Sequence, residues 1–113
     1  MFVYSISIPP DLPAGGQYQD KMDYTHSISA DDIKEGYSSM HRRGWDDCLE
    51  ELDHDWALDR AVLFPMQGYA WEARGYVNGY RACQAQAMTA VQKVGLEQAK
   101  QAVHEAVQAR GTR

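Results

Sequence analysis

Residues 29–59 read SADDIKEGYSSMHRRGWDDCLEELDHDWALD, and the reading of this stretch decides the fold. Ile33, Tyr37, Met40, Gly44, Cys48 and Leu52 recur at steps of three or four, and Trp45, Leu49 and Trp56 widen the same stripe. That is the period of a helix with one face turned to a core. Ser29 can cap a free backbone N–H, and Asp31 and Asp32 suit the positive end of the helix dipole. Gly44 stands between Arg42-Arg43 and Asp46-Asp47, charges that would suit the end of one helix and the start of another. The unbroken periodicity favours one long, kinked or straight helix over 30–59.

Outward from this helix, Phe2, Tyr4, Ile6 and Ile8 alternate with Val3, Ser5 and Ser7, the period of a strand with one apolar face. Pro9 and Pro10 end that run, and 11–20 reads as loop around Pro13, Gly15 and Gly16. Alternation returns at Met22, Tyr24, His26 and Ile28, which predicts an antiparallel pair between the two runs. On the C-terminal side, Ala61 to Pro65 forms an apolar connector tucked under the helices. Tyr69, Ala73, Tyr76, Tyr80, Cys83, Ala87, Val91 and Val94 predict a second helix over 66–94, packed along a neighbour at a shallow angle. Gly95 is a C-cap, and a third helix over 96–110 carries Leu96, Ala99, Val103 and Ala106 or Val107. The expected fold is therefore α+β in a single domain: a strand pair within 1–29 packed on two long helices, with a third helix at the C-terminus.

Five glycines are followed directly by an aromatic residue, and Gly44-Trp45-Asp46-Asp47-Cys48 is echoed by Gly79-Tyr80-Arg81-Ala82-Cys83. A glycine inside a helix costs about 1 kcal/mol relative to alanine, so several together need a reason. Gly75 and Gly79 lie one turn apart and would let a neighbouring helix or strand approach closely. The alternative is a contact surface for a partner, built on Tyr69, Trp71 and Tyr76.

The 113 residues carry a net charge of −5 that is unevenly placed: −2 over 1–30, −6 over 31–60 and +3 over 61–113. The overall sign argues against a nucleic-acid coat and against binding to anionic membranes. No apolar run approaches the ~20 residues of a membrane span, and Met1 to Pro10 lacks the basic n-region of a signal peptide. With two cysteines and no disulfide framework, a cytoplasmic setting is expected. Asp46, Asp47, Glu50, Glu51, Asp53, Asp55 and Asp59 form an acidic run without an intervening Lys or Arg. Carboxylates one turn apart repel, and they crowd the negative end of the helix, so local stability does not explain them. They either pair with the basic second half (Arg74, Arg81, Lys93 and Lys100), in cis or in a homodimer, or form a docking face for a basic surface of another macromolecule.

Other constellations carry less. Glu51 and His54 have a Glu-x-x-His spacing, but the second such pair of a helical di-iron site is missing. Cys48 and Cys83 both fall on apolar stripes, where a thiol is usually an inert small hydrophobe; a small enzyme would use Cys48 or Cys83 with a histidine, and His41 lies two turns before Cys48 on a similar face. His26 reads as a strand residue half in the core and His104 as a solvated helical one. No phosphate loop, Cys-x-x-Cys or nucleophile elbow is present. The expectation is a non-enzymatic protein without catalytic, cofactor or metal residues.

Glu35-Gly36-Tyr37, the run from Gly44 to Glu51 and Trp71-Glu72-Ala73-Arg74-Gly75-Tyr76, in a short alanine- and glutamine-rich helical chain, resemble small accessory proteins of phages and prophages. The resemblance implies a class: compact proteins, often acidic, that bind and inhibit a host machine, including anti-CRISPR-like and nucleic-acid-mimicking inhibitors. The expected function is an inhibitor or adaptor that docks the seven carboxylates on a basic surface of a host protein or complex, nucleic-acid-binding ones included, with Trp45, Trp56 and Trp71 as anchors. Direct nucleic-acid binding is disfavoured. The alternatives are a structural homodimer joined by acidic–basic helix pairing and a small Cys/His enzyme.

Overall fold

The computed structural model describes residues 2–65 and 67–111. Two short antiparallel strands, β1 (Gly16–Gln19) and β2 (Thr25–Ile28), precede three helices: α1 (Ala30–His54), α2 (Ala70–Val94) and α3 (Leu96–Gly111). The α+β class and the order of strand pair and three helices agree with the sequence-based expectation.

Helix α1 starts where the sequence predicts. The Asp32 N–H donates to Ser29 Oγ at 3.1 Å while the Asp32 carboxylate accepts from the Ser29 N–H at 3.4 Å, so both partners satisfy orphan groups of the first turn. The helix runs through Gly44 without interruption and ends at His54, short of the expected Asp59. Asp55 leaves the helix with an extended backbone, and Arg60 reaches back to its carbonyl at 3.0 Å and its carboxylate at 3.2 Å. Turning there keeps Asp55 and Asp59 out of a helical C-terminus that already carries too much negative charge. Helix α2 begins at Ala70, with the Glu72 carboxylate accepting from the Tyr69 N–H at 2.8 Å. Residues 67–69, expected in this helix, precede it, and its expected first residue, Met66, lies outside the described residues. Gly95, at φ 87°, closes α2 and opens α3: its N–H donates to Val91 and its carbonyl accepts from Ala99.

The strand pair is not the expected one. Phe2 to Ile8 pairs with no strand; β2 pairs instead with Gly16–Gln19, within the stretch that reads as loop. The alternation in 2–8 has another cause. Phe2 and Tyr4 rest against the core while Val3 and Ser5 face water, and the helices, not a strand, lie beneath them. Asp20 organises the hairpin turn: its carboxylate accepts from the Met22 and Tyr24 N–H groups at 2.8 and 3.0 Å, with Asp23 in the left-handed region at φ 65°. Tyr18 seats the hairpin edge-on against Trp71, ring centroids 4.9 Å apart.

Helices α1 and α2 run parallel. Gly36 lies against Trp71, Tyr37 against Gly75, His41 against Gly79 and Gly44 against Tyr80, partners that advance together along both helices. A parallel pair cannot be joined by a short turn. Twenty-five residues of helix measure about 37 Å, and the connector 55–69 can reach about 50 Å, enough to carry the chain back. Its path is marked by the Gln84 amide donating to the Arg60 carbonyl at 3.0 Å and by Phe64 against Tyr76, ring centroids 5.6 Å apart. Val62 and Phe64 pack on the core, whereas Leu63 faces water.

The two helices touch backbone to backbone. A Cβ on Gly79 would lie 2.7 Å from the His41 carbonyl carbon, one on Gly44 2.9 Å from that of Tyr76, and one on Gly75 3.1 Å from that of Tyr37. These three glycines therefore serve close approach, as the sequence implies for Gly75 and Gly79. Around the seam Ile33, Tyr37, Cys48, Cys83, Ala87 and Val103 are almost completely buried.

Gly79→Ala is expected to destabilise the protein by about 2 kcal/mol or more despite its better helix propensity, because backbone must move to admit the methyl group. Gly16→Ala, whose Cβ would meet open space, serves as the near-neutral control in urea denaturation.

Candidate functional site

The seven carboxylates lie along the second half of α1 and the turn after it, and six of them have partners within the chain. Asp46 sits 3.3 Å from Arg42 and 3.1 Å from Arg110, and Arg110 also pairs with Glu50, tying α3 to α1. Asp47 accepts from the Tyr76 hydroxyl at 2.7 Å, and Glu51 accepts from the Tyr80 hydroxyl and lies 3.6 Å from Arg60. Asp53 meets His104 at 2.9 Å, and Asp55 meets Arg60 at 3.2 Å. Asp59 is exposed.

These are not the partners that the basic second half implies. Arg74 pairs with Asp11 at 3.0 Å, and among the described residues Arg81, Lys93 and Lys100 have no carboxylate at ion-pair distance. The partners are Arg42, Arg60, Arg110 and His104 together with two tyrosines. Asp47 to Tyr76 and Glu51 to Tyr80 span the same sequence separation, 29 residues, so the two bridges repeat one contact a helical turn apart. No composition argument finds them; the parallel register does. Burial, then the hydrogen bond to a carboxylate and its charge, push the Tyr76 and Tyr80 hydroxyls well above the ordinary tyrosine range.

The tryptophans divide. Trp45 and Trp71, expected as anchors, are only 3% and 6% exposed, so they belong to the core and present no face to a partner. Trp71 stacks on Tyr69 at 4.5 Å and carries Tyr18, because it joins the hairpin to α2; Trp45 lies under the edge of Tyr4 at 5.5 Å. Trp56, just past α1, is half-buried and borders an open cleft of about 330 Å³ with Asp53, His54, Glu97, Lys100 and His104. Of the expected anchors, Trp56 alone keeps a surface next to the carboxylates.

Among the described residues, no three His, Cys, Asp or Glu side chains gather as a metal site. Cys48 and Cys83 meet across the α1–α2 seam as fully buried free thiols, and the hydrogen bond between them, with burial, holds the Cys83 thiol far up from its ordinary value. His41 does not face Cys48 chemistry; its Nδ1 is 2.8 Å from the Tyr4 hydroxyl. Comparison with protein-family models, with curated proteins and with solved structures finds no match to the chain.

Because Tyr76 and Tyr80 hold their protons more tightly folded than unfolded, the stability from their bridges is complete below about pH 10 and is lost as the pH rises beyond it. The two tyrosines should ionise only together with unfolding, read by tyrosinate absorbance and circular dichroism in the same titration. At neutral pH, Tyr80→Phe should cost about 2 kcal/mol, since it leaves the Glu51 carboxylate short of a donor.

Proposed function

We propose that the protein is a non-enzymatic binding module, an inhibitor or adaptor of the phage accessory type, which docks the acidic face of α1 and its following turn on a basic surface of another protein. The supporting observation is that the acidic face outlasts its own neutralisation. Seven carboxylates stand among four arginines, Arg42, Arg43, Arg60 and Arg110, an excess of three negative charges. Glu50 and Asp55 keep 62% and 76% of their side-chain surface exposed even while paired. Exposed ion pairs contribute little to stability and exchange readily, so these carboxylates remain available to a partner's Lys and Arg. An excess of one sign on one face also speeds encounter with a basic surface and repels acidic ones. Proteins that ordinarily hold nucleic acid in a basic groove are the partner class of matching charge, and Trp56 is the aromatic residue placed to join such an interface.

A second reading is a homodimer in which this face meets the exposed Arg81, Lys93 and Lys100 of another copy. It has in its favour that those cations lack carboxylate partners among the described residues. Sedimentation separates the two: a charge-paired dimer loosens as salt rises, and a monomer does not change.

The triple variant E50Q/D55N/D59N removes three exposed carboxylate charges, two of them in the pairs with Arg110 and Arg60, and circular dichroism should show its helix content unchanged before binding is read. Proteins retained by the immobilised wild type at low salt should be lost by this variant, while a control variant at Glu35, exposed near the other end of α1, retains them. Identical retention by all three proteins would contradict the reading.

A further inference from the structure

Residues 2–14 cross α1 and α2 as a strap, and among the described residues they make no backbone–backbone hydrogen bond. Side chains hold the strap at four places, one of them the Ala14 carbonyl, which accepts from the Tyr18 hydroxyl at 2.5 Å. The Gln86 amide clamps Val3, accepting from its N–H at 3.0 Å and donating to its carbonyl at 2.8 Å. Arg74 pairs with Asp11 at 3.0 Å. Between them the Tyr4 hydroxyl meets Nδ1 of His41 at 2.8 Å, with the Tyr4 ring edge-on to both His41 and Trp45.

His41 is 5% exposed and is the one buried polar residue among those described. Its surroundings favour a neutral ring. Tyr4 covers it from the strap, Tyr37 lies 5.9 Å away on α1, and Gly79 of α2 presses on its backbone. The charges that act on Tyr4 are the Arg42 guanidinium, 4.5 Å above its ring, and Asp46, which Arg42 and Arg110 of α3 already share. A protonated imidazole would therefore be a buried cation, and the Asp46 carboxylate beside Tyr4 already serves two arginines. The Tyr4 hydroxyl can donate to or accept from the ring nitrogen, so the cost of protonation is that of burying the charge and not that of the hydrogen bond.

We propose that His41 and Tyr4 form an acid-sensitive latch: a proton on His41 leaves a charge buried beneath Tyr4, and residues 2–8 lift from α1 to hydrate it and uncover Trp45. Burial holds the proton affinity of His41 below its ordinary value while the strap is down. The released form binds the proton more tightly, so the latch opens as the pH falls below about 6.5 and closes again as it rises. Lifting Phe2 and Tyr4 opens the groove formed by Trp45, Leu49 and Ala106, next to Asp46 and Arg110. That would add a tryptophan to the acidic face; this consequence rests on the docking reading, whereas the latch itself does not.

Nuclear magnetic resonance on the full chain tests the latch without any partner. In the wild type, the Tyr4–Trp45 cross-relaxation and the protection of the Val3 amide should be present at about pH 7.5 and lost by about pH 5, with the His41 ring titrating at the same midpoint. His41→Gln keeps an acceptor for Tyr4 but does not titrate, and should retain both signals throughout. Persistence of the Tyr4–Trp45 contact in the wild type at the acid end would overturn the proposal, as would its loss in H41Q at the same pH. A His41 midpoint separate from strap release would overturn it even if the variant folds poorly.

Discussion

The backbone contact at Gly44, Gly75 and Gly79 is the constraint on which the remaining structure depends. Each glycine admits the carbonyl side of the facing helix to a distance at which a Cβ cannot stand. The gain is the contact area and the weak Cα–H···O bonds that backbones make at this range; it outweighs a helix-propensity loss of about 1 kcal/mol per glycine. Side chains next to the seam then acquire fixed partners. Cys48 meets Cys83, and Tyr76 and Tyr80 reach the Asp47 and Glu51 carboxylates one turn apart.

The parallel direction has two further consequences. The connector 55–69 must run the length of the pair, which is why so long a segment without helix or strand exists in so small a protein. Both helix N-termini also lie at the end where the hairpin sits, and both C-termini at the other, where Asp53, Asp55 and Asp59 gather. Carboxylates there work against the dipoles of both helices. Arg60 from the connector and Arg110 and His104 from α3 offset much of that cost, so the elements that close the fold also hold its charge in place.

What the sequence makes legible follows from which forces are local. The α1 stripe from Ile33 to Leu52, the Ser29 cap and the Gly95 boundary depend on periodicity and end effects within one element, and they are present as read; in α3, Ala99 and Val103 are buried as read, whereas Leu96, expected on the same stripe, is exposed. The partner of β2 and the role of Phe2 to Ile8 depend on what lies beneath them. Phe2 and Tyr4 face the helices while Ile6 and Ile8, in phase with them, are exposed, and a period of two in the sequence does not distinguish that from a strand. The end of α1 at His54 depends on Arg60 capturing Asp55, a contact outside the helix. In the candidate site the acidic run itself is plain in the sequence. Its partners are not, because Arg110 and the tyrosines lie 29 to 64 residues away and come into reach only through the parallel register. Trp45 and Trp71 show the same limit: a tryptophan on a helical stripe reads as an anchor or as core until the neighbouring helix is placed.

The central claim is the parallel, glycine-mediated seam, and proton–proton cross-relaxation across it tests that claim most directly. The account predicts contacts from the Gly75 α-protons to Tyr37, from Gly79 to His41 and from Gly44 to Tyr80, partners that rise together along both helices. Contacts whose partners fall along α2 as they rise along α1 would mean an antiparallel pair, and would contradict the account.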